Sequence, residues 1–170
     1  EGLKCREGNL PDSVLIEAPP TELVATKAFG EGRCTVQDET AMQVAPRLQP
    51  KAGQLILDLC TAPGGKATHL AELTNDEATI LAVDKDETRL DKLRESIARL
   101  KLQSVSCIVA DATHEDAVKG VAPAPFDRIL LDAPCSNSGV LARRPEAKTR
   151  LDEAHLKELV ELQRKLLEQA

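Results

Sequence analysis

Between residues 55 and 131 the apolar positions fall into short unbroken blocks, separated by stretches where they recur every three or four residues. The blocks are Leu55–Leu59, Thr79–Val83, Val105–Ala110 and Arg128–Leu131, all of strand length. Three of them run directly into an aspartate (Asp84, Asp111, Asp132), and the first carries Asp58 inside it. The intervening pattern predicts helices over about 66–73 and about 87–101, the second with Leu90, Leu93, Ile97 and Leu100 on one face. A last helix is expected over about 152–169, where Leu156, Leu159, Val160, Leu162, Leu166 and Leu167 are apolar. Buried strands alternating with amphipathic helices predict a parallel sheet covered on both faces, with right-handed crossovers.

The fold class expected is therefore α/β, a Rossmann-like sheet of about four parallel strands over residues 51–170. Residues 1–50 lack this rhythm. Pro11, Pro19 and Pro20 punctuate Val14-Leu15-Ile16 and Leu23-Val24-Ala25, which read as short extended segments, as does Cys34-Thr35-Val36 after the Gly30–Gly32 turn. Asp38 is placed to cap a helix over about 39–48, ended by Pro50 and Gly53. This region reads as a lead-in packed on the core, with no domain of its own.

Composition narrows the chemistry. The 170 residues suit one domain and are 42% hydrophobic, but two Phe are the only aromatics, so the core is aliphatic. Such a chain offers little surface on which to stack single-stranded RNA bases. A net charge of −6 argues against a self-sufficient nucleic-acid binder, although a local basic strip is compatible with it. The five cysteines are odd in number and lack zinc-ligand spacing, which points to reduced thiols and a cytoplasmic location. No apolar run approaches membrane-spanning length. The sequence starts at Glu1 without an initiator methionine, as a processed or excised piece would.

The loop Cys60-Thr61-Ala62-Pro63-Gly64-Gly65-Lys66 joins the first block to its helix, where backbone N–H groups and a helix N-terminus face a ligand. Asp84 follows Gly64 by 20 residues, the spacing at which an acid meets ribose hydroxyls. The loop is not Gly-x-Gly-x-x-Gly. It also fails as a P-loop, because Cys60 stands where the first glycine belongs and Ala67 where Ser or Thr would hold magnesium. A nucleoside without phosphates, S-adenosyl-L-methionine, fits better, with Asp111 accepting from the adenine amino group. Each of these aspartates taken singly also reads as a helix cap or a solvating loop residue.

Asp132-Ala133-Pro134-Cys135 places a cysteine just past the fourth strand. Carbon 5 of a pyrimidine becomes nucleophilic only after a thiolate adds at carbon 6, and an acid near N3 receives the developing charge. Cys135 and Asp132 match those two roles, the alternative for Cys135 being a structural thiol. Arg143 and Arg144 open a basic strip over 143–150, either a phosphate-contacting entry for RNA or a solvated connector.

Asp58–Lys66, Val83–Asp86, Ala110-Asp111 and Asp127–Ser136 together resemble the successive motifs of the Fmu/Sun RNA cytosine-5 methyltransferases, and Val36-Gln37-Asp38 resembles that family's lead-in motif. The resemblance covers roughly residues 30–170. It implies RNA, ribosomal RNA in particular, as substrate, and S-adenosylmethionine held by Cys60–Lys66, Asp84, Asp111 and Asp132. It also implies that Cys135 helps release the product while a second cysteine, in a Thr-Cys-Ser motif absent from this sequence, makes the attack. Three further strands are then expected from beyond Ala170, as the rest of a longer chain or from a second chain, with the fourth strand an open apolar edge until they pair. Two alternatives stay open: direct attack by Cys135, and a non-catalytic nucleoside- or partner-binding sheet.

Overall fold

Leu55–Leu59 (β3) is hydrophobic on both faces and takes the middle of the sheet, where its last four residues, Asp58 among them, are buried. The computed structural model describes residues 2–114, 117, 125–140 and 152–170. On one side β3 pairs in parallel with β4 (Thr79–Asp84), Leu57 opposite Leu81. On the other it pairs with β6 (Arg128–Leu131), Leu57 opposite Ile129, and β5 (Val105–Val109) lies outside β4. The spatial order is β5-β4-β3-β6, so all four ligand-facing carboxyl ends point the same way.

The two faces of the sheet sort by residue parity. Ile56, Ile80, Ala82, Val105 and Leu130 pack with Ala45, with Ala67, Leu70 and Ala71 of α5 (Gly65–Leu73), and with Leu90 and Leu93 of α6 (Glu87–Leu100). Leu57, Leu59, Leu81 and Val83 face the other way, toward Leu162 and Leu166 of α7 (Glu153–Gln169). Asp86 caps α6 by accepting from the Arg89 amide (3.0 Å), and Asp152 caps α7 by accepting from His155 (2.7 Å). Leu156, Val160 and Leu167 of α7 stay exposed, and among the described residues β6 pairs only with β3. No helix among the described residues is long and apolar enough to cross a membrane.

The lead-in departs from its sequence pattern in several places. Val14–Ile16 is extended as expected (β2), and it pairs antiparallel with β1 (Cys5–Glu7), a strand that the sequence pattern does not mark. Residues 20–24 are helical instead of extended (α1, Pro20–Val24), because Pro20 at the first position carries a φ already suited to a helix. The helix expected over 39–48 is two short ones, α3 (Glu39–Met42) and α4 (Val44–Arg47), hinged at Gln43. Pro46 lacks an N–H to give the Met42 carbonyl, and its ring collides with that turn, so one continuous helix is impossible. Asp38 does precede α3, but its side chain does not cap it.

Cys34-Thr35-Val36, expected as a strand, forms none, and its first carbonyl is bonded to a helix instead. Arg99, in the last turn of α6, donates to the Phe29 and Cys34 carbonyls (2.9 and 2.8 Å) and lies 3.8 Å from the Phe29 ring centroid. Phe29 sits in α2 (Lys27–Gly30). Gly32, at φ +76, passes so close to α6 that a Cβ there would meet the Arg99 carbonyl oxygen at 2.2 Å. Residues 29–34 are thus strapped to the end of α6, and the chain emerging from the strap is steered to the carboxyl end of the sheet.

Candidate functional site

The loop after β3 is pinned from below and from both sides. Below it, the Thr61 hydroxyl donates to Asp58 Oδ2 (2.5 Å) and the Thr61 amide donates to the Val83 carbonyl (3.1 Å). Beside it, the Ala62 amide donates to Asp84 Oδ2 while the Asp86 amide donates to Asp84 Oδ1, both at 3.0 Å. Arg89, one turn into α6, donates to the Ala62 carbonyl and lies 3.9 Å from Asp84 Oδ2. Both sides of the Ala62 unit are therefore taken, its N–H by a strand-end carboxylate and its C=O by a guanidinium. The Ala62-Pro63 bond is cis.

Gly64 then turns the chain into α5 at φ +95, packed so tightly over Leu93 that a Cβ would sit 2.3 Å from Leu93 Cδ1. Lys66 leaves the first turn of α5 and pairs with Asp132, at the end of β6. Asp111, after β5, accepts from the Thr113 amide (2.9 Å) and hydroxyl (2.7 Å), which lower its pKa, the amide more. Cys135 is exposed, in a turn where Asn137 Nδ2 donates to its carbonyl (3.3 Å) and Gln163 of α7 donates to the Pro134 carbonyl (2.7 Å).

These groups border two adjoining spaces. A recess of about 50 Å³ is bounded by Asp84, Lys85, Asp111 and Thr113 and closed by Pro134, Leu162 and Leu166. A cleft of about 910 Å³ runs past Thr61–Pro63, Lys66, Asp132 and Cys135, and Gln37 and Asp38 of the lead-in also border it. Cys60, Arg89 and Pro134 border both. The sequence-derived set Cys60–Lys66, Asp84, Asp111, Asp132 and Cys135 is thus gathered at one end of the sheet. Arg143 and Arg144 lie outside the described residues.

Two contributors, Arg89 and Gln37, are not marked as site residues by the sequence, whereas Asp58 already stands among its four polar strand residues. Asp58 is wholly buried under the loop, and loss of hydration raises its pKa to about 7, opposed by the Thr61 hydroxyl. Its polar identity inside an apolar strand was the available signal. Arg89 and Gln37 carried weaker signals: a cation five residues past Asp84, and an amide beside a turn.

Burial pushes the Cys60 thiol up to about 11, with Asp84 and then Asp132 adding repulsion. A thiol held there has about 100-fold less thiolate at neutral pH than an ordinary one, which argues against a nucleophilic role for Cys60. Alkylation with iodoacetamide, followed by peptide mass spectrometry, is expected to modify Cys135 and Cys5 at least about tenfold faster than Cys60. Equal rates at the three thiols would refute this.

A parallel sheet with aspartates at its strand ends around a glycine turn is the Rossmann-like arrangement of S-adenosylmethionine-dependent methyltransferases, and solved structures agree. A methyltransferase homolog protein from Pyrococcus horikoshii matches with a TM-score of 0.80 and 30% identity, over 99% of this chain and 52% of that one. The structure of NSun6 from Pyrococcus horikoshii with SFG, an S-adenosylmethionine analogue, matches with a TM-score of 0.78 and 33% identity, over 93% of this chain and 40% of that one. Residues 45–170 match the model of the 16S rRNA methyltransferase RsmB/F family, and the chain belongs to that family. Among curated relatives, ribosomal RNA small subunit methyltransferase B of Shewanella oneidensis is 41% identical over 160 residues, 94% of this chain and 36% of the relative. The protein of the same name from Salmonella heidelberg is 41% identical over 158 residues, 93% of this chain and again 36% of the relative. The chain therefore spans about a third of the length of these relatives.

Proposed function

We propose that this chain is the S-adenosylmethionine-binding portion of an RNA cytosine-5 methyltransferase acting on ribosomal RNA, with residues 51–170 forming the first part of its catalytic domain. The observation that carries the reading is the convergence of Asp84, Asp111 and Asp132, from three strand ends, on the fixed loop Cys60–Lys66. The donor set fits the cofactor. Each Asp84 oxygen accepts one backbone N–H and keeps a lone pair for a ribose hydroxyl, and Asp111 offers an acceptor to the adenine amino group. Ligand sites usually measure about 300–1,000 Å³, so the cleft is roomy enough while the recess must widen. Pro134, Leu162 and Leu166 border it on the side of α7.

When bound, the cofactor supplies an electrophilic methyl group on a sulfonium. The chain's own residues do the positioning. Lys66 holds the Asp132 carboxyl at the cleft, where in its protonated form it gives its proton to N3 of the base as negative charge builds there after thiolate addition at carbon 6. Cys135, exposed on the same wall, serves product release, and the attacking thiolate comes from a Thr-Cys-Ser segment outside this chain. Further strands, from the rest of a longer chain or from a second one, would pair with the open edge of β6. Arg143 and Arg144 would meet RNA phosphates, and the setting is cytoplasmic.

Calorimetry tests the core of this reading. Saturable one-to-one binding of S-adenosylhomocysteine, competed by S-adenosylmethionine, is expected. A folded chain that gives no heat at millimolar ligand would end the proposal.

A further inference from the structure

Two carboxamides border the cleft, Gln37 and Asn137, and they differ in what they do there. Asn137 is spent on its own turn, its Nδ2 bonded to the Cys135 carbonyl. Gln37 is half-buried, and its side-chain amide makes no hydrogen bond to another of the described residues. Its Nε2 lies 3.9 Å from where a Cβ on Gly65 would stand, one residue before the lysine that holds Asp132. The strap formed by Arg99, Phe29 and Gly32 fixes the segment from which it projects.

We propose that Gln37 hydrogen-bonds the edge of the pyrimidine to be methylated and orients it against Asp132 and Cys135. The proposal rests on the methyltransferase reading above. A carboxamide is neutral, and its oxygen is an acceptor for the N4 amino group of cytosine, next to the N3 that Asp132 serves. A phosphate would instead be met by Arg89 and Lys92, which border the same cleft together with Lys66, the partner of Asp132. Proteins that hold splayed-out bases commonly stack them on aromatic rings, and none borders this cleft. Of the chain's two phenylalanines, Phe29 lies under Arg99 and Phe126 packs in the sheet cluster. Edge hydrogen bonds therefore carry the orientation, and Gln37 is the neutral side chain of the lead-in able to make them.

The isotope-labelled chain, saturated with S-adenosylhomocysteine and titrated with cytidine 5′-monophosphate, provides the test. The Gln37 side-chain amide signal should shift and saturate, and ribose 5-phosphate should leave it in place. Q37A should weaken the nucleotide by at least about fivefold, the loss of a typical neutral hydrogen bond, while leaving S-adenosylhomocysteine within about twofold. A Gln37 signal that stays still while the Lys66 and Cys135 amides move would place the base elsewhere and overturn the proposal. So would an equal shift with ribose 5-phosphate, or no shift anywhere at saturating nucleotide. Failure of S-adenosylhomocysteine to bind at all is a separate result, which removes the cofactor reading and the proposal with it.

Discussion

Replacing Asp84 with alanine is expected to weaken S-adenosylhomocysteine binding by roughly 100-fold, the largest effect of any single cofactor-side substitution. Two losses add. The ribose hydroxyls lose their acceptor, and the amides of Ala62 and Asp86, now bonded to the two carboxylate oxygens, are left without a partner. An unsatisfied buried N–H costs about 1–3 kcal/mol, and Ala62 is itself buried. Freed from Asp84, the Ala62 unit keeps only Arg89 on its carbonyl, so the loop samples geometries that do not present the site. Asp84→Asn keeps the shape and one acceptor and should fall between alanine and the parent. Calorimetry reads both variants, with circular dichroism to establish folding. Binding within about threefold of the parent in a folded Asp84→Ala chain would show that this carboxylate neither holds ligand nor organises the loop.

The second large effect is on stability. Gly64→Ala places a methyl 2.3 Å from Leu93 Cδ1 and 2.7 Å from its Cγ, at a backbone φ of +95 that alanine resists. Leu93 is fully buried, so it has nowhere to swing. Overpacking typically costs 1–3 kcal/mol and a left-handed alanine about one more, giving roughly 2–4 kcal/mol. In a domain of this size that lowers Tm by on the order of 10 °C. Gly65→Ala is the internal control: the nearest side-chain atom is 3.9 Å away, so its cost should stay below about 1 kcal/mol. The clash also predicts coupling. Leu93→Ala alone should cost about 2–5 kcal/mol, but combined with Gly64→Ala the total should fall well short of the sum. Thermal melts of the three chains decide, and simple additivity would mean that the loop relieves the contact by moving away.

How far the sequence led depends on the range of the forces involved. The four strands and their helices were legible because each block of Leu, Ile and Val must be buried on both faces, and no other packing of such a pattern does that. The aspartates at the strand ends follow from the same periodicity, while the family is legible only through the resemblance of the whole motifs around them. What the pattern did not carry was set by contacts across the chain. Arg99 binds carbonyls 65 and 70 residues away, at Cys34 and Phe29, a tie that no local pattern announces. Asp58 reads as an anomaly in a strand until Thr61 folds back over it. The break at Gln43 was legible in principle, since Pro46 forbids a continuous helix, but the apolar spacing of Met42, Val44, Ala45 and Leu48 masked it.

The strap at Arg99 has a further consequence. The floor of the cleft, with its loop and aspartates, belongs to the parallel sheet, whereas the wall bearing Gln37 arrives on a separate piece of chain moored to the far end of α6. The floor is locked by mutual hydrogen bonds and tolerates little change. The wall is held by that guanidinium and glycine on one side of Gln37 and, on the other, by Ala45 of α4, buried in the core against α5. The two sides of the cleft are thus anchored through different parts of the fold.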